Sequence, residues 1–275
     1  MPEPREQATV FGEVAESYHT VRAPYPDELF EMVVTVTGLP QPAVIADVGC
    51  GTGKSSAWFV ARGHSVIGIE PDAAMAAIAT RELGPTDRFH VDPVPLQAWI
   101  APTDGVDLVV SGQAWHWADP PTRFVDAASA LASRSGWLAV YWNRPSPDEL
   151  PFAGALDEVY RSIVGSEAGR GPTLVDLRFP GSKSATAAAT PADEFNQSGL
   201  FETVTPIDIP WSRTMDTDLH LASLSTQSDH RMLPDEQRDK LFEAVARVLD
   251  SHGSSYELPM TTHGCLARVR QPSEI

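Results

Sequence analysis

From Val44 to Ser55 the chain reads Val-Ile-Ala-Asp-Val-Gly-Cys-Gly-Thr-Gly-Lys-Ser, and no other stretch restricts the fold as much. Residues 43–48 have the composition of a buried strand, Gly then recurs at 49, 51 and 53, and a helix is predicted over 53–63. Glycine enters left-handed backbone conformations freely, and without a Cβ it lets a ligand approach bare N–H groups at a helix N-terminus. A second strand, 65–70, ends in Glu70-Pro71-Asp72. That is roughly 20 residues on, the separation at which an acid meets ribose hydroxyls.

Strands and helices keep alternating. A helix is predicted over 72–82, strands over 88–92 and 106–111, a helix over 120–133 and a strand over 136–142. This rhythm argues for an α/β chain with a parallel sheet. An earlier helix, 27–37, stops at Gly38-Leu39-Pro40. The rhythm breaks at 143. A helix is predicted over 147–163, followed by a Gly/Pro- and Ala/Thr-rich run that is either an irregular insertion over the sheet or a disordered loop. A strand over 201–210, helices near 216–228 and 234–251, and a strand over 263–269 complete the chain; Leu241, Phe242, Val245, Val248 and Leu249 share one face of the last helix. The expectation is one domain: a cap (1–40), a cofactor-binding core (41–142), an insertion (143–199) and C-terminal strands and helices (200–275).

Which ligand the loop takes follows from its spacing and charge. A Walker phosphate loop needs Gly where Val48 stands, and a dinucleotide fingerprint needs its third Gly where Lys54 stands. Asp47, two residues before the first Gly, would repel a pyrophosphate and attract a ligand carrying an ammonium and a sulfonium. S-adenosylmethionine has both, a ribose for Glu70, and no phosphate. The competing reading is a purely structural Gly-rich turn. A net charge of −17 argues against nucleic-acid partners. Cys50 and Cys265 give no disulfide framework, the N-terminus lacks a leader-like apolar run, and no stretch approaches the ~20 apolar residues of a membrane span. A cytoplasmic, soluble protein is expected, with no membrane partner and no metal; the oligomeric state stays open. Ligands of open α/β sheets bind beyond the C-terminal strand ends. That gathers 47–53, Glu70, the turn at 90–93 and the run Ser111-Gly112-Gln113-Ala114-Trp115-His116-Trp117 around one crevice.

Further motifs are Phe11…Tyr18-x-x-x-Arg22-x-x-Tyr25-Pro26, Glu70-Pro71-Asp72-x-x-Met75, Val106-Asp107-Leu108-Val109-Val110 leading into that run, and Ser135-Gly136-Trp137-Leu138-Ala139-Val140. With them the chain resembles, over nearly its whole length, the class I S-adenosylmethionine-dependent methyltransferases, in the small-molecule branch that includes trans-aconitate methyltransferases. The resemblance implies a Rossmann-like, doubly wound, mostly parallel seven-stranded sheet, ordered 3-2-1-4-5-7-6 with the last strand antiparallel, under an N-terminal helical cap. It implies cofactor contacts from Asp47, Gly49, Gly51, Gly53, Glu70, Pro71, Asp92 (to the adenine amino group), Ser111 and Gly112. It places Tyr18, Arg22, Gln113 and Trp115 near the acceptor. The chain departs from the pattern in two places: Pro93, without an N–H, follows Asp92, and Arg22-Ala23-Pro24-Tyr25-Pro26 replaces Arg-Pro-Gly-Tyr-Pro.

His116 stands as a catalytic base, a hydrogen-bond donor to substrate, or a brace for its own motif. Trp115 and Trp117 are apolar walls, with core packing expected of at least one. Arg22, Arg144 and Arg213 are candidates to hold an anionic acceptor. The expected reaction is methyl transfer to a small molecule at oxygen, either a carboxylate that needs no base or a hydroxyl that does. A non-catalytic, regulatory S-adenosylmethionine-binding protein and an NAD-dependent oxidoreductase are the alternatives.

Overall fold

The computed structural model describes residues 15–146, 150–165 and 191–271. Its centre is a seven-stranded sheet. β1 (Val44–Val48) lies parallel to β2 (Ser65–Ile69) on one side and to β4 (Leu108–Gly112) on the other. β3 (Phe89–Asp92) extends the sheet beyond β2, and β5 (Trp137–Pro145) extends it beyond β4, both in parallel. β7 (Ser255–Val269) then runs antiparallel between β5 and β6 (Phe201–Asp216), giving the order 3-2-1-4-5-7-6 that the resemblance implied.

The central strands are apolar on both faces because both faces are covered. On one face Val48, Val109, Val140 and Ala267 pack with Leu131 of α5 (Arg123–Leu131) and Phe195 of α7 (Pro191–Ser198). On the other, Ile45, Val110, Tyr141 and Leu266 meet α2 (Asp27–Thr37) and α3 (Ser56–Ala61) through Phe30, Val33 and Phe59. α2 stops at Gly38, whose φ of +61° is the left-handed turn that a side chain resists. α4 (Ala73–Leu83) is started by Asp72, whose carboxylate accepts from the Ala74 and Met75 N–H groups. α1 (Ala15–Val21) rests on α4 through Ala15, Met75 and Ile78.

Several boundaries move. The helix after the glycine loop begins at Ser56, not 53, because Gly53 still has a φ of +84°. The helix predicted over 120–133 is α5, 123–131, with a short 3₁₀ turn behind it. β5 continues to Pro145, so the sheet takes the first residues assigned to the insertion. Residues 147–149, 166–190, 272–275 and the first 14 lie outside the described residues, and with them about half of the expected insertion.

The largest correction is in the final hairpin. β6 runs to Asp216 and β7 starts at Ser255, so pairing continues from Trp211↔Met260 to Asp216↔Ser255, well past the predicted limits of 210 and 263. This projecting end carries a third core, in which Met215, Leu258 and Met260 of the hairpin meet three helices. They are α6 (Ala153–Ile163), α8 (Thr217–Ser225) and α10 (Asp235–Ser251), beside the short α9 (Ser228–Arg231). Leu156, Leu224, Leu241 and Val245 are their contributions to it. Asp216 closes the strand and starts α8 by accepting from the Leu219 N–H at 2.7 Å. β6 is the sheet's outer edge, and Pro206 and Pro210 sit in it where a missing N–H breaks no ladder bond.

Candidate active site

Three left-handed glycines shape the loop after β1, with φ of +67° at Gly49, +56° at Gly51 and +84° at Gly53. They are needed for different reasons. A Cβ at Gly49 would strike the Ala114 side chain, and one at Gly53 would come within 2.8 Å of Leu83 Cδ1. At Gly51 a Cβ would meet nothing within 4 Å, so that position is held by its backbone angle alone and faces open space.

Two acids line this loop. Asp47 is fully buried at the end of β1. Its Oδ2 accepts from Ser56 Oγ at 2.6 Å, while its Oδ1 has no hydrogen-bond partner among the described residues. Burial pushes its pKa up to about 7; the Ser56 hydrogen bond works against this, and the Glu70 charge adds to it. A buried carboxylate oxygen without a partner is costly, and a cationic group arriving there would remove the cost. Glu70 braces the loop: Oε2 accepts from Gly51 N–H and Oε1 from Asp72 N–H, each at 2.9 Å. Each oxygen keeps a second lone pair, so Glu70 has acceptor capacity left for two hydroxyls. Burial holds the Glu70 carboxyl above its ordinary value, against the pull of those two backbone donors. The donor set therefore fits S-adenosylmethionine: a buried anion for its ammonium, a carboxylate for its ribose, and bare glycine backbone between them.

The other expected contacts are placed as follows. Pro71 is exposed. Asp92, at the tip of β3, accepts from the Trp99 indole N–H at 2.8 Å, and His90 stands 3.9 Å away. Ser111 gives its hydroxyl hydrogen to the Val48 carbonyl at 2.8 Å and so ties β4 to β1. Gly112 is needed for close approach, since a Cβ there would overlap the Tyr25 hydroxyl. Gln113 holds a φ of +60° at the strand tip and donates to the Asn143 carbonyl at 3.1 Å; strain of this kind gathers at functional sites.

The N-terminal segment lies across these strand tips. Asn143 fixes it, donating from Nδ2 to the Pro24 carbonyl at 2.9 Å while accepting from Thr262 Oγ1 at 2.6 Å. Tyr25 stands edge-on to Tyr141 at 5.0 Å, and the Tyr141 hydroxyl is hydrogen-bonded to Ser55 in the loop. Arg22 lies over the Tyr18 ring at 4.8 Å. Arg213, on the projecting part of β6, donates to the Val21 carbonyl at 2.9 Å. Arg144 is next to Asn143 on β5, so strand alternation turns it to the opposite face.

Trp115 is 1% exposed and belongs to the first core, where Arg123 donates to its carbonyl at 3.1 Å. His116 is exposed at the rim. Its Nδ1 accepts from the Trp142 indole N–H at 3.4 Å, and its ring tilts against Trp117 at 4.7 Å. Sequence reasoning missed Ser56 on Asp47, Tyr141 on Ser55 and Asn143 on Pro24. It also weighed Lys54 only as a residue standing in place of a glycine; its positive charge directly after the loop, in so acidic a chain, was the available signal.

Comparisons with known proteins find methyltransferases. The family model described as a methyltransferase domain matches residues 46–140. An uncharacterized methyltransferase of Mycobacterium tuberculosis is 25% identical over 251 residues, covering 90% of this chain and 88% of that protein. Two shorter matches span about half of each partner. One is a probable S-adenosylmethionine-dependent methyltransferase of Saccharomyces cerevisiae, 32% identical over 151 residues, with 52% of this chain and 50% of that one covered. The other is trans-aconitate 2-methyltransferase of Variovorax paradoxus, 28% identical over 133 residues, with 46% and 50% covered. Among the described residues no helix is long and apolar enough to cross a membrane.

Proposed function

This chain is a class I S-adenosylmethionine-dependent methyltransferase, and from that premise we propose that it methylates a small molecule at oxygen. The cofactor supplies a methyl group already activated by its sulfonium. The chain's own task is to hold and align, and alignment alone is worth up to ~7–11 kcal/mol in ideal cases. Asp47 anchors the ammonium, Glu70 the ribose, and the Gly51 backbone lets the cofactor lie close against the loop.

The small-molecule part rests on the N-terminal segment. Asn143 and the Tyr25–Tyr141 contact hold it across the strand tips, so an acceptor reaches the reacting centre from a covered crevice. That suits a metabolite better than a polymer, and a net charge of −17 argues further against nucleic acid.

The preference for a carboxylate over a hydroxyl rests on His116. Accepting from Trp142 at Nδ1 leaves the neutral ring protonated at Nε2, so the outer nitrogen is a donor rather than a base. An acceptor that must lose a proton is poorly served by this arrangement, whereas a carboxylate needs no base. The named activity of the V. paradoxus relative, on trans-aconitate, is consistent with it. The test is to mix the protein with donor and a panel of carboxylates, phenols, alcohols and amines, then measure S-adenosylhomocysteine release. Base-labile methyl esters are the expected products. An N-methyl product would overturn the oxygen reading, and tight donor binding with no release from any acceptor would favour a regulatory protein.

A further inference from the structure

We propose that Arg22, Lys54 and Arg213 form a grip for a carboxylate group of the methyl acceptor, beside the cofactor loop. This deepens the small-molecule reading and rests on it. The gripped carboxylate is a handle, and it need not be the oxygen that receives the methyl group.

The three cations come from three remote parts of the chain: the cap, the glycine loop and the projecting hairpin. Arg213 reaches over from β6 to the carbonyl of Val21, the neighbour of Arg22. Lys54 directly follows Gly53. The cations also feel one another. Burial, and after it the charge of Arg213, holds the Lys54 ammonium below its ordinary value. Burial lowers Arg213 as well; Tyr256 opposes this, and Arg22 adds to it.

Among the described residues no carboxylate answers this charge. Among the described residues none of the three makes an ion pair, although acids outnumber Lys and Arg by 37 to 20 in the chain. Arg123 and Arg134, by contrast, each have an acid, Glu194 at 2.8 Å and Asp107 at 3.2 Å. The Arg22 Nε is buried with no hydrogen-bond partner among the described residues. Placing like charges together in a half-buried position is unfavourable without an anion. An acidic protein also repels a free anion at long range, and a local cluster of this kind is what would capture one. Guanidinium groups match the planar fork of a carboxylate.

The test is calorimetric and needs no turnover. Protein loaded with S-adenosylhomocysteine is titrated with trans-aconitate, citrate and succinate, and with their methyl esters, which keep the carbon frame and lose the charge. At least one acid should bind and its ester should not. Arg213→Gln and Lys54→Gln should each weaken that acid about tenfold and leave affinity for S-adenosylhomocysteine within about twofold. Arg213→Lys should restore part of the loss, which a merely misfolded variant would not do, and circular dichroism checks the fold of each. If the wild type binds none of the acids, the inference is wrong. It is equally wrong if both Gln variants lose S-adenosylhomocysteine affinity and acid binding by the same factor, since the cations would then serve the cofactor's own carboxylate. Neither result touches the reaction class, which the release assay tests separately.

Discussion

Asp47 is under two opposed demands. Its ionised form is what a cationic ligand requires, and the same form is costly in a buried position where, among the described residues, Ser56 alone donates a hydrogen bond to it. Its folded pKa, about 7, is above the ordinary carboxyl value. Its contribution to the stability of the ligand-free protein is therefore fully present below about pH 4 and is lost as pH rises through about 7. Cofactor binding should run the other way, weakening up to about tenfold per unit as pH falls below 7 and releasing a proton there. Titrating S-adenosylhomocysteine at pH 6 in buffers of different ionisation enthalpy measures that proton. Asp47→Asn should abolish it and weaken the ligand, while raising the melting temperature of the free protein at pH 8, on the order of 2–4 °C per kcal/mol recovered. No proton release from the wild type would mean that the ligand does not meet this carboxylate. Gly51 poses a similar contrast. Gly51→Ala meets no neighbour within 4 Å but must hold a φ of +56°, so it should cost only about 1–2 kcal/mol of stability. Because the methyl would project into the space over the loop, cofactor affinity should fall by far more. Urea unfolding set beside a binding titration separates the two effects.

At the scale of elements, the glycine loop with its β-α repeats was legible because each unit is local: a strand, a turn and a helix within about thirty residues. Asp47 and Glu70 could be placed from spacing for the same reason. The projecting hairpin was not legible. Residues 211–216 and 255–260 mix polar and apolar types, and their strand form comes from pairing with one another and from the helices beneath Met215 and Leu258. The bracing contacts were hidden in the same way, since Ser55 meets Tyr141, and Asn143 meets Pro24, only after the sheet has formed. The hairpin also has a core of its own, and that core can be tested. Leu241 is 0% exposed within it, so Leu241→Ala should destabilise the protein by about 2–5 kcal/mol. No residue of that core belongs to the loop from Asp47 to Gly53, so the folded variant should bind S-adenosylhomocysteine as the wild type does. A matching loss of affinity would mean that the cofactor half and the hairpin half behave as one unit.

For the whole molecule, the sheet has two very unequal borders. β3 is four residues long, whereas β6 is sixteen and among the described residues has a neighbour on one side only. A border of that length is an open template, and any chain in extended form, a second copy included, finds a row of unused backbone donors and acceptors there. Pro206 and Pro210 lie four residues apart, so their missing N–H groups fall on the same, unpaired side and leave gaps in that row. Like charge on every copy adds a second barrier at low salt, one that fades as the screening length shrinks to ~8 Å near physiological ionic strength. Pro206→Thr with Pro210→Thr should therefore fold and bind donor normally, yet form oligomers in 150 mM salt by light scattering where the wild type does not. If the double variant scatters like its parent, the two prolines are not what guards this border. If it associates, the two rings that leave the edge unable to pair are what keep a concentrated solution of this enzyme from growing into continuous intermolecular sheet.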